Sequence, residues 1–298
     1  MKNSLREILG SEHPVIQGAM GFVSNPELVA AVSGAGGFGQ LATIFLEDIE
    51  ELRRQVRRVK ALTSRPFGAN LFAKQPLSID FARVLAEEGV RTVTFSGGSP
   101  KKIAPLLNDL GINFIAVTAT VRGAVSASES GAAAVVAEGS ESGGVQGYRG
   151  SSTLVLVPQV ADAVDIPVVA AGGISDGRSY RAALALGASG VQVGTRFIAT
   201  KECIAHPTFK EAIVKADDTS TEVVDLGSFC LRALVTKTVE LISKSELDPS
   251  ALFVPEKIRK GWIGGELEAG LFASGQVAGA IKSIKTVREV IMELIGEP

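Results

Sequence analysis

Short apolar runs alternate with amphipathic, helix-forming stretches along the first 200 residues of the chain. Residues 168–171 are typical of a strand covered on both faces, residues 177–187 of a helix, and residues 191–193 of the next strand. Eight such strand–helix units occur before about residue 200. This repetition predicts an α/β protein with a (β/α)8 TIM barrel, and the absence of G-x-G-x-x-G after the first strand, residues 15–18, argues against a Rossmann domain.

The pattern changes at residue 206, after which no further strand–helix repetition follows. Helical periodicity is predicted for four tail segments, whereas residues 248–265 read as irregular; the four segments are 209–215, 226–244, 267–279 and 286–295. We therefore expect a small, mostly helical C-terminal cap that leans over the barrel mouth. The predicted division is a barrel over 1–205, a helical cap or substrate region over 206–270, and C-terminal helices returning to the barrel over 271–298.

Composition and charge exclude several classes of protein. The 298 residues carry a formal net charge of −2 and a pI near 5.9, without the basic stripe of a nucleic-acid-binding protein. No apolar run approaches the roughly 20 residues of a membrane span, and the N-terminus lacks the apolar core of a signal peptide. Cys203 and Cys230 have no metal-ligand spacing. We expect a cytoplasmic protein with reduced thiols, no metal, and no nucleic-acid or membrane partner.

Two glycine turns follow the last two predicted barrel strands. Gly172-Gly173 comes directly after the seventh strand, and Gly194-Thr195 after the eighth. These two loops commonly hold a phosphate group in TIM barrels, because backbone N–H groups can approach phosphate oxygens closely where no Cβ intervenes. The alternative is that the glycines only make tight turns between strand and helix. Because two such turns lie one unit apart, we favour a phosphate site.

Two further stretches carry candidate site residues. A long glycine-rich loop, residues 139–150, follows the sixth strand at the end of the barrel where active sites lie. Asn70 stands within an otherwise apolar third strand, so its amide is either tied to neighbouring backbone or offered to a ligand.

Seven motifs together resemble a known family over nearly the whole chain. They are Gln17-Gly-Ala-Met20, Pro66-Phe-Gly-Ala-Asn70, Ala137-Glu-Gly-Ser-Glu-Ser-Gly-Gly144, Ala170-Ala-Gly-Gly-Ile-Ser-Asp-Gly177, Gln192-Val-Gly-Thr-Arg-Phe197, Ala205-His-Pro-Thr-Phe-Lys210 and Ala273-Ser-Gly-Gln-Val-Ala-Gly279. They resemble the nitronate monooxygenases, formerly 2-nitropropane dioxygenases. They are equally similar to the flavin-dependent enoyl-acyl-carrier-protein reductases of the same superfamily.

The resemblance implies FMN in the barrel mouth. The residues implied to bind it are Gly18, Ala19 and Met20 beside the ring, Asn70 and Gln192 as polar contacts to the ring or ribityl chain, Glu138, Gly143 and Gly144 on the sixth-loop side, and Gly172, Gly173, Gly194 and Thr195 at the phosphate. The alternative for Met20 is plain core packing. The alternative for Gln192 is an interior amide whose hydrogen bonds are satisfied within the barrel.

One position departs from the family pattern. Members of both activities usually carry histidine directly after the Gly-Gly of the sixth loop, where this chain has Val145. Valine neither donates nor accepts a proton, so nitronate oxidation that needs a base at this position is in doubt. Tyr148, three residues further on, could supply a proton or a hydrogen bond, and the alternative is that it only packs. Val145 and Tyr148 are thus the candidate catalytic positions.

The leading interpretation is an FMN-dependent oxidoreductase that takes hydride from NADH or NADPH and reduces an enoyl-thioester or a similar activated alkene. Other readings are a nitronate monooxygenase-like oxidase, an NADH:quinone-type flavin reductase, and a catalytically impaired flavin-binding protein. The substrate would be a small molecule or an acyl-thioester, which a carrier protein could present. A homodimer is plausible for such barrels.

Overall fold

The computed structural model describes residues 4–147 and 150–296. Its strands are β1 Val15–Gln17, β2 Gln40–Ala42, β3 Gly68–Phe72, β4 Thr92–Ser96, β5 Asn113–Thr118, β6 Ala134–Glu138, β7 Gly144–Gln146, β8 Val168–Ala171, β9 Gly190–Val193, β10 Thr221–Asp225 and β11 Cys230–Leu234. Its α-helices are α1 Leu5–Leu9, α2 Pro26–Gly34, α3 Ile49–Leu62, α4 Ser78–Glu87, α5 Ala104–Asp109, α6 Val121–Glu129, α7 Thr153–Ala163, α8 Gly177–Ala185, α9 Thr195–Ile198, α10 Pro207–Lys215, α11 Lys237–Ser243, α12 Pro255–Trp262 and α13 Val287–Ile295.

The first nine strands other than β7 form one parallel sheet that closes on itself. Neighbouring strands follow the order β1-β9-β8-β6-β5-β4-β3-β2, and β1 meets β2 again through a parallel bridge between Ile16 and Phe38. At that seam Phe38 N donates to Val15 O at 2.8 Å, and Gln17 N donates to Phe38 O at 2.9 Å. The predicted (β/α)8 TIM barrel is confirmed.

Alternation along the strands separates two layers of core. Inward-facing residues such as Ile16, Ile115 and Val169 fill the barrel, whereas their chain neighbours pack under the surrounding helices. Leu5 and Leu9 of α1 belong to the inner layer, and Thr92 Oγ1, at the start of β4, donates to Ile8 O at 2.8 Å. Helix α1, which the sequence pattern did not predict, therefore plugs the amino-terminal end of the barrel.

The tail after residue 206 differs from the predicted run of helices. Residues 226–244 were expected to be one helix, but β11 and α11 divide this segment, and β11 pairs antiparallel with both β10 and β7. Helix α12 lies within the stretch predicted as irregular, and in place of the helix predicted over 267–279 the structure has the 3-10 turn Gln276–Ala280. A short, densely apolar segment such as 230–234 suits a strand or a helix equally by periodicity, and pairing with β7 decides for the strand.

The last helix returns to the barrel wall. Helix α13 packs between α2 and α8, the helices that follow the first and seventh barrel strands. The cap therefore combines helices with a small antiparallel sheet, and the boundaries 1–205, 206–270 and 271–298 stay predictions. Within the ranges that the structure describes, no helix is both long and apolar enough to cross a bilayer.

Gly39 tests how tightly a helix closes on the barrel. A Cβ at Gly39 would lie 2.2 Å from Val29 O in α2, so Gly39→Ala must push α2 away from β2. We expect a loss of about 1–3 kcal/mol or more in the free energy of unfolding, measured by urea denaturation. Gly34→Ala is the matched control, because a Cβ at Gly34 meets no atom within 4 Å. Equal stability of the two variants would contradict this close approach.

Candidate active site

An open cavity of about 1180 Å³, a volume that includes its mouth, lies at the carboxyl ends of the barrel strands. The predicted site residues that line it are Gly18, Ala19, Met20, Asn70, Glu138, Gly143, Gly144, Val145, Gly172, Gly173, Gln192, Gly194 and Thr195. Tyr148 lies outside the described residues. The structure thus brings together residues from five separate stretches of sequence, and their individual roles stay predictions.

The two glycine turns form one wall of the cavity. Gly172 and Gly173 have φ values of 107° and 71°, a left-handed backbone that disfavours any side chain, and a Cβ at Gly172 would lie 2.7 Å from Thr153 Oγ1. Asp176 caps α8 beyond this turn by accepting from Arg178 N at 2.9 Å and from Ser179 N at 3.3 Å. This wall is therefore mostly backbone, held rigidly by the following helix.

Buried amides and hydroxyls cross the barrel beneath the cavity. Gln40 N donates to Gln17 Oε1 at 3.2 Å, and Gln40 Nε2 donates to Gln192 Oε1 at 3.4 Å. Gln40 Oε1 accepts from Thr94 Oγ1 at 2.6 Å, and Asn70 Nδ2 donates to the same hydroxyl at 2.8 Å. A polar network thus fixes the floor of the cavity.

The structure settles the surroundings of Asn70 and Gln192. Asn70 bonds neighbouring side chains rather than backbone through its amide, since Asn70 Oδ1 also accepts from Ser96 Oγ at 3.1 Å. Gln192 Oε1 has a barrel partner in Gln40. Both residues nevertheless line the cavity, so each is held in place by the barrel while it faces the space above.

Glu138 is the ionisable side chain of the cavity lining within the described residues. It ends β6 and adjoins the loop that carries Val145. Burial raises the pKa of the Glu138 carboxyl to about 7, although a hydrogen bond with the Ser142 side chain acts in the opposite direction. A carboxyl with such a pKa exchanges its proton near neutral pH, which is the property that acid–base catalysis requires.

The sixth loop is fastened to both the barrel and the cap. Glu141 accepts from Thr153 N at 3.0 Å with both carboxylate oxygens, at the start of α7. Arg232 Nε in the cap donates to Ser140 O at 3.2 Å, and Val145 is opposite Leu231 in the β7–β11 pair. These contacts hold Val145 at the cavity rim.

Apolar cavity walls from the cap were missing from the sequence prediction. Phe253 and Trp262 line the cavity from the cap, Phe45 lines it from the loop after β2, and Phe72 lines it from the end of β3. Phe253 contacts Phe45 edge-on, with ring centroids 6.0 Å apart. No local sequence signal marks such residues, because only the folding of the cap over the barrel brings them to the site.

Comparison with known proteins places the chain in a family. The nitronate monooxygenase family model matches residues 2–297. The chain belongs to the nitronate monooxygenase family. It is therefore an oxidoreductase that uses FMN as its cofactor.

Three similar proteins carry three different activities in their names. FabK from Thermotoga maritima is 39% identical, with a TM-score of 0.92 over 99% of this chain and 96% of FabK. Nitroalkane oxidase from Streptomyces ansochromogenes is 29% identical, with a TM-score of 0.86 over 99% and 97% of the two chains. The (3aS,4S,5R,7aS)-5-hydroxy-7a-methyl-1-oxo-octahydro-1H-indene-4-carboxyl-CoA dehydrogenase of Rhodococcus jostii (strain RHA1) is 31% identical over 100% of this chain and 96% of the relative.

The cavity residues fit FMN in shape and chemistry. Gly194 leaves open space, since a Cβ there would have Met20 Sδ as its nearest neighbour at 3.7 Å, and the Gly172-Gly173 wall is bare backbone of the kind that binds phosphate. Ala19 and Met20 supply an apolar surface for a flat ring, while Asn70 and Gln192 supply amides.

Glu138 should make the stability of the cofactor-free protein depend on pH. With a folded pKa of about 7 against an ordinary value of 4.5, the native state keeps a proton that the unfolded state has released between these pH values. The free energy of unfolding therefore falls as pH rises through this window and levels off above it. Glu138→Gln removes this loss, which is on the order of 2–3 kcal/mol.

Urea denaturation at pH 5 and pH 8 measures this difference. We expect the glutamine variant to gain stability relative to the unmodified protein on going from pH 5 to pH 8. Glu246→Gln, at an exposed glutamate, controls for the loss of one carboxylate. An unchanged difference between the Glu138→Gln variant and the parent protein at the two pH values would mean that Glu138 titrates normally.

Proposed function

We propose that the chain reduces the carbon–carbon double bond of an enoyl-thioester with electrons from NADH or NADPH. The observation that carries this proposal is the cavity itself, whose lining is mostly apolar, lacks histidine among its described residues, and includes one half-buried carboxyl, Glu138. FabK, an FMN-dependent enoyl-acyl-carrier-protein reductase, supports it through its 39% identity and common fold. Such a reduction needs a hydride at one carbon and a proton at the other.

Chain residues would hold the flavin as follows. Backbone at Gly172, Gly173 and Gly194 receives the phosphate, Met20 lies against the ring, and the amides of Asn70 and Gln192 face its polar edge or ribityl chain. The bound flavin supplies hydride transfer between nicotinamide and substrate. The polar network under Asn70 and Gln192 keeps both amides from rotating, so the protein orients the ring without having to reorganise.

The proton in this proposal belongs to Glu138. Below a pH of about 7 its carboxyl is protonated and can donate to the thioester carbonyl or to the carbon beside it. Val145 cannot donate a proton and instead contributes an apolar contact at the rim of the cavity. Desolvation of the carboxyl in the folded protein is what raises its pKa.

A nitronate monooxygenase-like oxidase is the second candidate. The family model and the nitroalkane oxidase structure favour it. Proton removal from the carbon of a nitroalkane needs a base, and here Glu138 would serve in its ionised form. The two candidates therefore demand opposite protonation states of one side chain. A quinone-type flavin reductase would transfer hydride without needing Glu138, and an impaired flavin-binding protein would stay oxidised with nicotinamide under anaerobic conditions.

The pH dependence of turnover distinguishes these candidates. For crotonyl-thioester reduction we expect kcat to fall as pH rises through about 7, and Glu138→Gln to lower kcat about 100-fold without that dependence. Anaerobic stopped-flow absorbance should show flavin bleaching by NADH or NADPH in both proteins, followed by slow recovery with crotonyl-thioester in the variant alone. Rising activity with pH on nitroalkane, without bleaching by nicotinamide, would instead establish the oxidase.

Gly194 tests the placement of the flavin phosphate. Gly194→Ala adds a methyl group that meets only the Met20 side chain near van der Waals distance, so the fold should tolerate it while the cavity wall loses room. We expect the dissociation constant for FMN, measured by fluorescence titration of the apoprotein, to rise about tenfold or more. Gly34→Ala should bind FMN as the parent protein does. Equal FMN affinity in the Gly194→Ala variant would place the phosphate elsewhere.

The wider setting of the reaction follows from the same proposal. We favour an acyl-thioester substrate, which either coenzyme A or a carrier protein can carry. A cytoplasmic location and a homodimer stay predictions.

A further inference from the structure

A second groove opens beside the central cavity and joins it at Glu138 and Val145. The loops after β3, β4 and β5 form its barrel side, and Ser228 and Phe229 of the cap form the opposite side. The groove and the cavity have four lining residues in common, which are Phe72, Ser96, Glu138 and Val145. A molecule lying in the groove could therefore extend one end into the cavity.

Three cations line this groove: Lys74 after β3, Lys101 after β4, and Arg122 in the first turn of α6. All three are exposed, and none forms a salt bridge within the described part of the chain. The charged side chains that face them from the described groove walls are Glu129, at the end of α6, and Glu138, at the junction with the cavity. The groove thus presents an excess of positive charge on a protein whose formal net charge is −2.

The passage between groove and cavity is apolar. Phe72 and Val145 line it from the barrel and the sixth loop. Phe229 faces the groove and contacts Phe253, which faces the cavity, with ring centroids 5.8 Å apart. Lys74 Nζ lies 5.4 Å from the centre of the Phe229 ring, so one cation is held at the outer side of this passage. Charge outside and apolar surface inside suit a long ligand with an anionic end and an apolar reactive end.

We propose that Lys74, Lys101 and Arg122 form a phosphate-binding subsite for the arm of the thioester substrate. The inference rests on the proposed function, since it assigns the polar end of the same substrate. A phosphopantetheine arm places phosphate at one end and the acyl thioester at the other, which matches cations along the groove and Glu138 at its inner end. Lysine and arginine bind phosphate through charge-assisted hydrogen bonds, and these exposed groups also attract the anion from solution.

The test compares two crotonyl thioesters with the FMN-loaded protein. Crotonyl-CoA carries phosphates, whereas crotonyl-pantetheine has the same reactive end without them. The readout is the kcat/KM for crotonyl-CoA divided by the kcat/KM for crotonyl-pantetheine. We expect the triple variant Lys74→Gln, Lys101→Gln, Arg122→Gln to lower this ratio about tenfold, because three exposed charge contacts each change affinity a few-fold. Lys102→Gln is the matched control, since Lys102 is exposed beside Lys101 but outside the groove.

Salt dependence and binding give independent readouts. In the parent protein the KM for crotonyl-CoA should rise with ionic strength, and in the triple variant this rise should be much smaller. Binding of coenzyme A to the oxidised holoprotein, followed by flavin fluorescence, needs no turnover. Binding that is lost in the triple variant would support the subsite even if no thioester is reduced, in which case only the proposed function fails.

Three results would overturn the subsite. An unchanged ratio in the triple variant, with both thioesters still reduced, would leave the reductase standing and remove the phosphate subsite. A raised KM for NADH, with no change for crotonyl-CoA, would assign the cations to the phosphates of the nicotinamide cofactor. An equal fall of the kcat/KM ratio in the Lys102→Gln control would show a general effect of surface charge. The three single variants, checked by thermal unfolding, separate these results from a folding defect.

Discussion

Closure of the barrel between its first and second strands is the constraint on which the site depends. The last backbone hydrogen bond across this seam joins Gln17 N to Phe38 O. Nearer the barrel mouth, the strands are joined instead by the Gln17 side chain, which accepts a hydrogen bond from Gln40 N. Gln40 then bonds Thr94 and Gln192 across the barrel. A buried amide without a hydrogen-bond partner destabilises the folded state, so the loss of one member of this network would leave its neighbours unpaired and lower the stability of the protein. The same side chains that close the barrel therefore fix the floor of the cavity.

The barrel could be predicted because its signals are local. Each strand is a short apolar run before glycine or polar residues, and each helix shows its own periodicity, so eight units could be counted without knowledge of their contacts. The glycine turns at 172–173 and 194–195 could be placed near each other for the same reason, since carboxyl ends of parallel strands meet at one end of a barrel. Helix α1 escaped prediction, because five residues are too few to show periodicity.

The cap was predicted less well because its structure depends on partners distant in sequence. β11 is a strand because Gly144–Gln146 and Thr221–Asp225 lie on either side of it, and neither pairing is visible in residues 230–234 themselves. The raised pKa of Glu138 escaped prediction for a related reason. The resemblance indicated its place at the site, but its proton affinity depends on desolvation in the folded protein.

The pairing of β7 with β11 joins the loop at Val145 to the cap by a ladder of backbone hydrogen bonds. Arg232 adds a second connection through Ser140 O, so the cap and the loop are joined at two places. For protein engineering, this makes the cap a poor unit of exchange by itself. A cap grafted from a relative would lack the strand that pairs with its β11 unless residues 144–146 were grafted together with it. Two segments some eighty residues apart along the chain would therefore have to be exchanged together.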